Sequence, residues 1–599
     1  MTLPPAKRII AVLVSLALAT VAILQSGCST LPNYPRTGSR PADLLIVNAN
    51  VFTCDAKNPH AQAVAVRGER IAYVGDNAGA SDFVGPETRL INARGRMLTP
   101  GFVDNHCHVL WIGALHSLMT QELYECKSFE AIKAAVLKQA RENPDLPFVS
   151  GVGWHYNYIP GGVPDKLLLD SILSERPVFL MAYDGQGGWV NSKALDLMHK
   201  RNPGAFEELV PIRDKKTGQC TGFRHFHSFS PLDYFTREEL GQGAQERMMR
   251  AMESTLRDAL SVGVTTMNDV QIYKEFVPMI LTFRDKGGLD NARVRCSYYV
   301  GHLFLKDEKR LKEDLAWWKE IGAKESGSHL KLGDSLKFYI DGTQGNRTSF
   351  QLEPFADNPH NTGEPMWTQE DFNRVIQMID GMGLQACTHA CGDAGCRRVI
   401  NAYERARTVN GERDSRHRIE HCSLPTSEDQ VRMGRLGIYA AMQPAHLFGD
   451  ANLERAYGPQ RLQRFMPWRS MEKAGVNVSF GSDWCAGPIN PIYGLLIAAT
   501  RINYKGKRDW APEEKVDPRD AIRHWTLDSA RALLMDKDIG SVEAGKYADL
   551  VLFDTDLLNL DSFWFFLTHE IALGKLDHFV LMTMVGGKIV HRKAGFELQ

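Results

Sequence analysis

The sequence predicts a parallel (β/α)8 TIM barrel with an inserted subdomain, joined to a small composite β-sandwich built from both termini. Three observations predict it. Short apolar segments alternate with helical patterns through the middle of the 599-residue chain, as barrel strands and their return helices do. Each end carries a few turn-bounded strands, too few for a core of their own, so the two ends are expected to pair. Histidines and one aspartate fall at the ends of the central segments, where a barrel gathers its reactive groups.

The elements follow in chain order. Lys7 and Arg8 precede an apolar run from Ile9 to Leu24 that ends in Gln-Ser-Gly-Cys28, which reads as an export signal over residues 1–28. The ending resembles a lipoprotein cleavage box, although Gln25 stands where leucine is usual and Leu24 lies one place early. An uncleaved anchor stays open, since the run is shorter than the roughly 20 residues of a spanning helix. Residues 29–41, rich in Ser, Pro and Gly up to Arg40, suit a tether. The expected location is therefore an exported bacterial protein, lipid-anchored at Cys28 and facing the periplasm or cell exterior. Residues 42–98 hold strand patterns at Asp43–Asn48, Gln62–Val66, Arg70–Gly75 and Thr88–Asn92, and residues 541–599 hold others at Ala548–Asp554, His578–Thr583 and Gly587–His591. Between them, residues 99–540 supply eight barrel strands: Gly101–His106, Val264–Asp269, Val294–Val300, Ser335–Asp341, Gln385–His389, Arg418–His421, Ile438–Gln443 and Val476–Gly481. The first interval is too long for one helix, so an insertion is expected over about 110–240. Helices are expected at Thr236–Val262, opened by the capping box Thr236-Arg-Glu-Glu239, and at Thr368–Met382.

Composition narrows the function classes. A formal net charge of -1, with 44% hydrophobic and 24% charged residues, shows no general pull toward nucleic acid. The cysteines other than Cys28 lack the spacing of a disulfide scaffold. Cys387, Cys391 and Cys396 cluster, but without a second Cys-x-x-Cys pair they are read as small packing residues rather than a zinc-thiolate site.

The chemistry lies in the strand ends. Side chains alternate along a strand, so His106 and His108 point one way and Cys107 the other, and two imidazoles there can grip one metal ion. Downstream, Lys337, His389, His421 and Asp483 fall at or near the ends of other strands. Singly, each has an ordinary explanation: a satisfied core histidine, a salt-bridged lysine, a helix cap. Together they read as a metal site.

These motifs resemble the amidohydrolase superfamily, and within it the amidohydrolase-3, or YtcJ-like, group. The resemblance spans roughly residues 42–599 and rests on Pro100-Gly-Phe-Val-Asp-Asn-His-Cys-His108, Lys337-Phe-Tyr-Ile-Asp-Gly-Thr-Gln-Gly-Asn-Arg-Thr348, His389-Ala-Cys-Gly-Asp393, Arg416-His-Arg-Ile-Glu-His421, Gly481-Ser-Asp483 and Gly540-Ser-Val-Glu-Ala-Gly-Lys-Tyr-Ala-Asp-Leu550. It implies that His106, His108 and Asp483 hold one metal, that His389 and His421 hold a second, and that Lys337 bridges them as a carbamate. A lysine desolvated beside cations has the neutral amine this requires. A one-metal enzyme with Lys337 in a salt bridge is the competing reading. Imidazole and carboxylate ligands suit zinc, with Mn, Fe or Co as alternatives.

The implied reaction is hydrolysis of an amide-type C–N bond of a small molecule by a metal-activated hydroxide, with Asp483 as general base and then acid. A deaminase or cyclic-amide hydrolase of the same superfamily is the alternative, and a non-catalytic surface lipoprotein a remoter one. Candidate substrate-binding residues are Arg347 (a carboxylate clamp, or a partner for an acidic neighbour), His446, Trp154 (a pocket wall, or core packing) and Gln186. Gln186 and Gln344 depart from the family pattern, where histidine and leucine are usual. No nucleic-acid partner is expected, and membrane contact is expected only through the N-terminal lipid or anchor.

Overall fold

The computed structural model describes residues 41–597 except 121, 161–163, 184–186, 202–217, 219, 226–233, 302–306, 448–450, 503–509 and 559–578. The export signal, Cys28 and nearly all of the tether lie outside the described residues, as does Gln186. Among the described residues no helix is long and apolar enough to cross a membrane.

The central sheet is a parallel barrel of strands β1 (Phe102–Cys107), β2 (Val264–Ile272), β3 (Arg293–Tyr299), β4 (Ser335–Tyr339), β5 (Gln385–Ala390), β6 (Arg418–His421), β7 (Tyr439–Met442) and β8 (Asn477–Phe480), paired in that order. The eight segments expected from sequence are these strands, with ends shifted by a residue or a few. Helices cover the barrel's outside, so its strands are buried on both faces, as parallel strands must be. The largest shift is at β2, where an irregularity between Asp269 and Ile272 carries the strand past the expected end. The seam between β8 and β1 is closed by Asp483, whose N–H donates to the His106 carbonyl (2.7 Å), and by His108, whose N–H donates to the Trp484 carbonyl (2.8 Å).

The long first interval folds as its own four-stranded sheet from Val149–Trp154, Val178–Ala182, Gly187–Val190 and Phe223–His225. The helix returning to the barrel, Arg237–Ser261, opens with the expected capping box between Thr236 and Glu239. At the other side, Met97–Pro100 pairs parallel with Asn50–Phe52 and antiparallel with Leu550–Phe553, which continues to Val580–Val585 and Lys588–Arg592. The chain's two ends thus share a sheet. Leu98, Leu550 and Met582 of this sheet pack with Leu44, Ile46 and Val64 of a second one in a single apolar cluster. Met97–Pro100 has no strand assignment from sequence; its pairing with Leu550–Phe553 joins segments far apart in the chain. Gly101 then passes the chain into β1, and any side chain there would collide with Thr265, whose Oγ1 lies 2.1 Å from the site of a Cβ.

One buried ion pair fastens the terminal sheet to the barrel. Arg293 of β3 donates from Nε and a terminal nitrogen to the two carboxylate oxygens of Asp549 (2.7 and 3.0 Å), and its guanidinium lies 3.8 Å from the Tyr547 ring centroid. Both partners are buried, so removing one strands a charge. Arg293→Met is expected to cost about 3–5 kcal/mol by thermal or denaturant unfolding. Replacing both partners, Arg293→Met with Asp549→Leu, is expected to restore most of that loss, and equal losses in the single and double variants would refute the coupling.

Candidate metal centre

The ends of β1, β5 and β6 and the turns after β7 and β8 bring five imidazoles around one carboxylate. Alternation along β1 turns His106 and His108 to the barrel mouth and Cys107 away, its Sγ 3.4 Å from the Asn268 carbonyl. Asp483 sits in the turn after β8 with φ at 53°, and His421 ends β6 with φ at 67°. Left-handed backbone at non-glycine residues costs energy and is held here by its surroundings. For Asp483 the holder is Asp104, which accepts hydrogen bonds from the Ser482 N–H (2.9 Å) and hydroxyl. The result is a single carboxylate facing four imidazoles. Asp483 Oδ1 lies 3.4 Å from His106 Nε2 and 3.2 Å from His108 Nε2, while Oδ2 lies 4.0 Å from His421 Nδ1 and 3.6 Å from His446 Nε2. His389 completes the group through its ring, 4.4 Å from that of His421.

The hydrogen-bond partners of the rings decide which nitrogens can ligate. His106 Nδ1 bonds the carboxylate of Glu420, an acceptor only, so the proton sits there and Nε2 keeps its lone pair toward Asp483. His389 Nε2 donates to the Gly342 carbonyl (3.0 Å), which leaves Nδ1. His421 Nδ1 donates to Gln443 Oε1 (2.8 Å), and the Gln443 amide is oriented by its own bond to the Ala441 carbonyl (3.2 Å), which leaves His421 Nε2.

Burial sets the charges. It pushes His389 down to about 3, with Lys337 adding to the effect, and pushes His421 and His446 down as well. For Asp483 burial acts upward, but the neighbouring histidines, His106 first, outweigh it and hold the carboxyl well below its ordinary range. Imidazole nitrogens, three of their rings pushed by burial toward the neutral form, around an ionised carboxylate are the donor types a divalent cation takes. Among the described residues two overlapping groups could hold a metal ion, His106 with His108 and Asp483, and His421 with His446 and Asp483. Lys337 is fully buried, and among the described residues its Nζ has no hydrogen-bond partner and lies 4.8 Å from the Tyr339 ring centroid. Burial lowers its pKa, opposed by Glu420 and Asp483, which favours a neutral amine.

Among the substrate candidates, His446 joins the cluster, stacked parallel to His421 at 6.0 Å. Arg347 does not reach it as a free cation. Its guanidinium pairs with Asp357 and donates to Asn452 Oδ1 (2.6 Å), which realises the acidic-neighbour reading rather than the carboxylate clamp. Trp154 is enclosed in the insertion's core, edge-on to Trp189 at 5.5 Å, so the structure places it in packing rather than in a pocket wall. Cys387, Cys391 and Cys396 are buried free thiols.

Sequence reasoning missed Glu420, Gln443 and Asp341. Asp341 accepts backbone N–H bonds from Phe350 (2.9 Å), Cys391 (3.0 Å) and Gly392 (2.8 Å) and so pins the loop after β4 to the end of β5. Glu420 carried a readable signal. Arg418 and Glu420 sit two apart on a strand buried at every position, so both must face the barrel interior and pair, and Arg418 Nε does donate to Glu420 Oε1 (2.9 Å).

Comparison with known proteins shows the family and the fold. The amidohydrolase family model matches residues 89–591. Over 575 residues the chain is 28% identical to the protein LONG AFTER FAR-RED 3 of Arabidopsis thaliana, covering 94% of this chain and 93% of that one. It is 26% identical over 565 residues to an N-substituted formamide deformylase of Arthrobacter pascens, covering 92% and 99%. The crystal structure of an uncharacterized metal-dependent hydrolase from Pyrococcus horikoshii superposes with a TM-score of 0.67 at 21% identity, over 86% of this chain and 98% of that one.

Glu420 fixes the proton on His106, so its loss is expected to weaken metal retention. Glu420→Gln should lower metal affinity about 10–100-fold in a chelator competition; unchanged affinity in a folded variant would remove Glu420 from the centre.

Proposed function

Because the chain belongs to the amidohydrolase family, we propose that it hydrolyses the C–N bond of a small-molecule amide with Asp483 as the proton carrier. His106, His108 and Asp483 would hold one divalent ion, His389 and His421 would hold a second, and Lys337 would bridge them as a carbamate. That carbamate forms when the neutral Nζ adds to carbon dioxide and loses a proton. When bound, such ions, zinc first by this donor set with Mn, Fe or Co as alternatives, supply Lewis acidity and lower the pKa of water.

The observation that carries the reading is the placement of one ionised carboxylate within 3.2 Å of His108, 3.4 Å of His106, 3.6 Å of His446 and 4.0 Å of His421. Held ionised by those rings, Asp483 accepts a proton from water as the water oxygen bonds to the carbonyl carbon. The same carboxyl delivers that proton to the nitrogen as the C–N bond breaks, and the products are an acid and an amine. His446, beside Asp483 Oδ2, is the residue placed to orient the substrate carbonyl. A deaminase reading calls for a glutamate acid beside the ring of its substrate. The glutamate beside this cluster, Glu420, is committed to His106 and Arg418.

The proposed setting is exported and lipid-anchored at Cys28, on the strength of the N-terminal sequence alone. The wild-type protein is expected to incorporate labelled fatty acid when expressed in a bacterium and Cys28→Ala is expected not to; absence of label in the wild type would replace lipidation with an uncleaved anchor or plain secretion.

Asp483→Asn is expected to lower kcat/KM for an amide found by screening N-acyl, N-formyl and cyclic amides about 10²–10⁴-fold. Elemental analysis of the same preparations is expected to find two ions per chain, falling to one or none in Lys337→Ala. Full activity in Asp483→Asn, or hydrolysis of esters alone, would refute the reading.

A further inference from the structure

The mouth of the barrel is chemically divided. Histidines and Asp483 occupy the ends of β5, β6, β8 and β1, whereas β2, β3 and β4 each end in a tyrosine: Tyr273 just after β2, Tyr299 and Tyr339 as the last residues of β3 and β4. Alternation places Tyr339 on the same face as Lys337 and Tyr299 on the same face as Ser297, whose hydroxyl meets that of Ser335 across the strands (2.8 Å). The Tyr299 and Tyr339 rings therefore crown the barrel interior, Tyr273 packs against Tyr299, and all three are half-buried.

The rings run in sequence around the rim. Buried Trp111 backs Tyr273 at 4.7 Å, Tyr273 meets Tyr299 at 5.6 Å and a 58° tilt, Tyr299 meets Tyr339 at 5.8 Å and 72°, and Tyr339 reaches His389 at 4.8 Å. One glutamine ties two of the hydroxyls down. Tyr339 donates to Gln271 Oε1 (2.5 Å) and Gln271 Nε2 donates to the Tyr273 hydroxyl (2.5 Å), so these rings are held in place with their polar ends bonded to Gln271. Among the described residues, the cations Arg347 and Lys274 are each paired, Arg347 with Asp357 and Lys274 with Asp314 (2.5 Å), the Lys274 Nζ also 4.8 Å from the Trp317 ring.

We propose that this aromatic wall is a specificity subsite that seats a neutral, planar aryl group of the substrate while the amide lies against the histidine and aspartate half. The proposal rests on the hydrolytic reading for its substrate class. Rings tilted as these are offer both faces and edges, the arrangement in which aromatic pairs gain most over area burial alone, and a rigid wall loses little conformational freedom on binding. With Arg347 and Lys274 already paired, neither is left to meet a carboxylate on the substrate, which would be desolvated against the rings at a cost.

The test uses the metal-loaded enzyme and a matched series of amides whose variable group is phenylmethyl, cyclohexylmethyl, butyl, carboxymethyl or aminoethyl. The corresponding ketones, which cannot be hydrolysed, report binding by calorimetry. The phenylmethyl ketone is expected to bind about 10-fold tighter than the butyl one, and the carboxymethyl ketone weakest. Tyr273→Leu and Tyr299→Leu are each expected to erase most of the phenyl preference while changing the butyl affinity by less than about threefold. Equal phenyl and butyl affinities, or tightest binding by the carboxymethyl or aminoethyl member, would overturn the subsite, and the wild-type series decides this even if the variants fail to fold. Phenyl preference in the ketones without hydrolysis of any amide would leave the subsite and sink the hydrolytic reading. Hydrolysis without phenyl preference would do the reverse.

Discussion

The structure depends on the closure of β8 onto β1. Asp104 and His106 on the first strand receive hydrogen bonds from Ser482 and Asp483 beyond the last one, and the chain between them is nearly the whole barrel. An open sheet would leave His106 and Asp483 at opposite edges. Closure makes them neighbours and pays for the left-handed backbone at Asp483 with a net of buried hydrogen bonds. Burial pushes the Asp104 carboxyl up to about 6 even against its bonds to Ser482, so the seam is held by a group that is itself under electrostatic load.

Burial of charge recurs one layer deeper. Glu420 is held down to about 2: burial raises it, and Arg418 and His106 outweigh burial. A fully buried carboxylate between a guanidinium and an imidazole contributes little net stability, because desolvation offsets most of the attraction. Its value is geometric, since it fixes one proton on one ring nitrogen and so aims the other at the mouth. Gln443 and the Gly342 carbonyl do the same for His421 and His389 with neutral acceptors. The centre is therefore oriented by partners spread over the strands and the loop after β4.

Much of this was legible in the sequence. The eight strands announced themselves because parallel strands buried on both faces are short apolar runs between amphipathic helices, and the cluster of His106, His108, His389, His421 and Asp483 followed from their place at strand ends. Met97–Pro100 was not legible, because its pairing with Leu550–Phe553 spans the length of the chain and leaves no local pattern. Arg347 and Trp154 show the limit for substrate residues. The residue types fit binding, but Asp357 and Trp189, which claim them instead, are neighbours only in space.

By itself the sequence determined the barrel, the pairing of the two ends and the strand-end positions of the histidines and Asp483, because strand alternation and strand-end position are periodic, local properties. Only the tertiary structure decided which histidine nitrogen is free, that Glu420 and Gln443 set those choices, and that a row of tyrosines faces the histidines across the mouth. Those outcomes depend on the closed ring of strands, which sets distances between side chains that no spacing along the chain encodes.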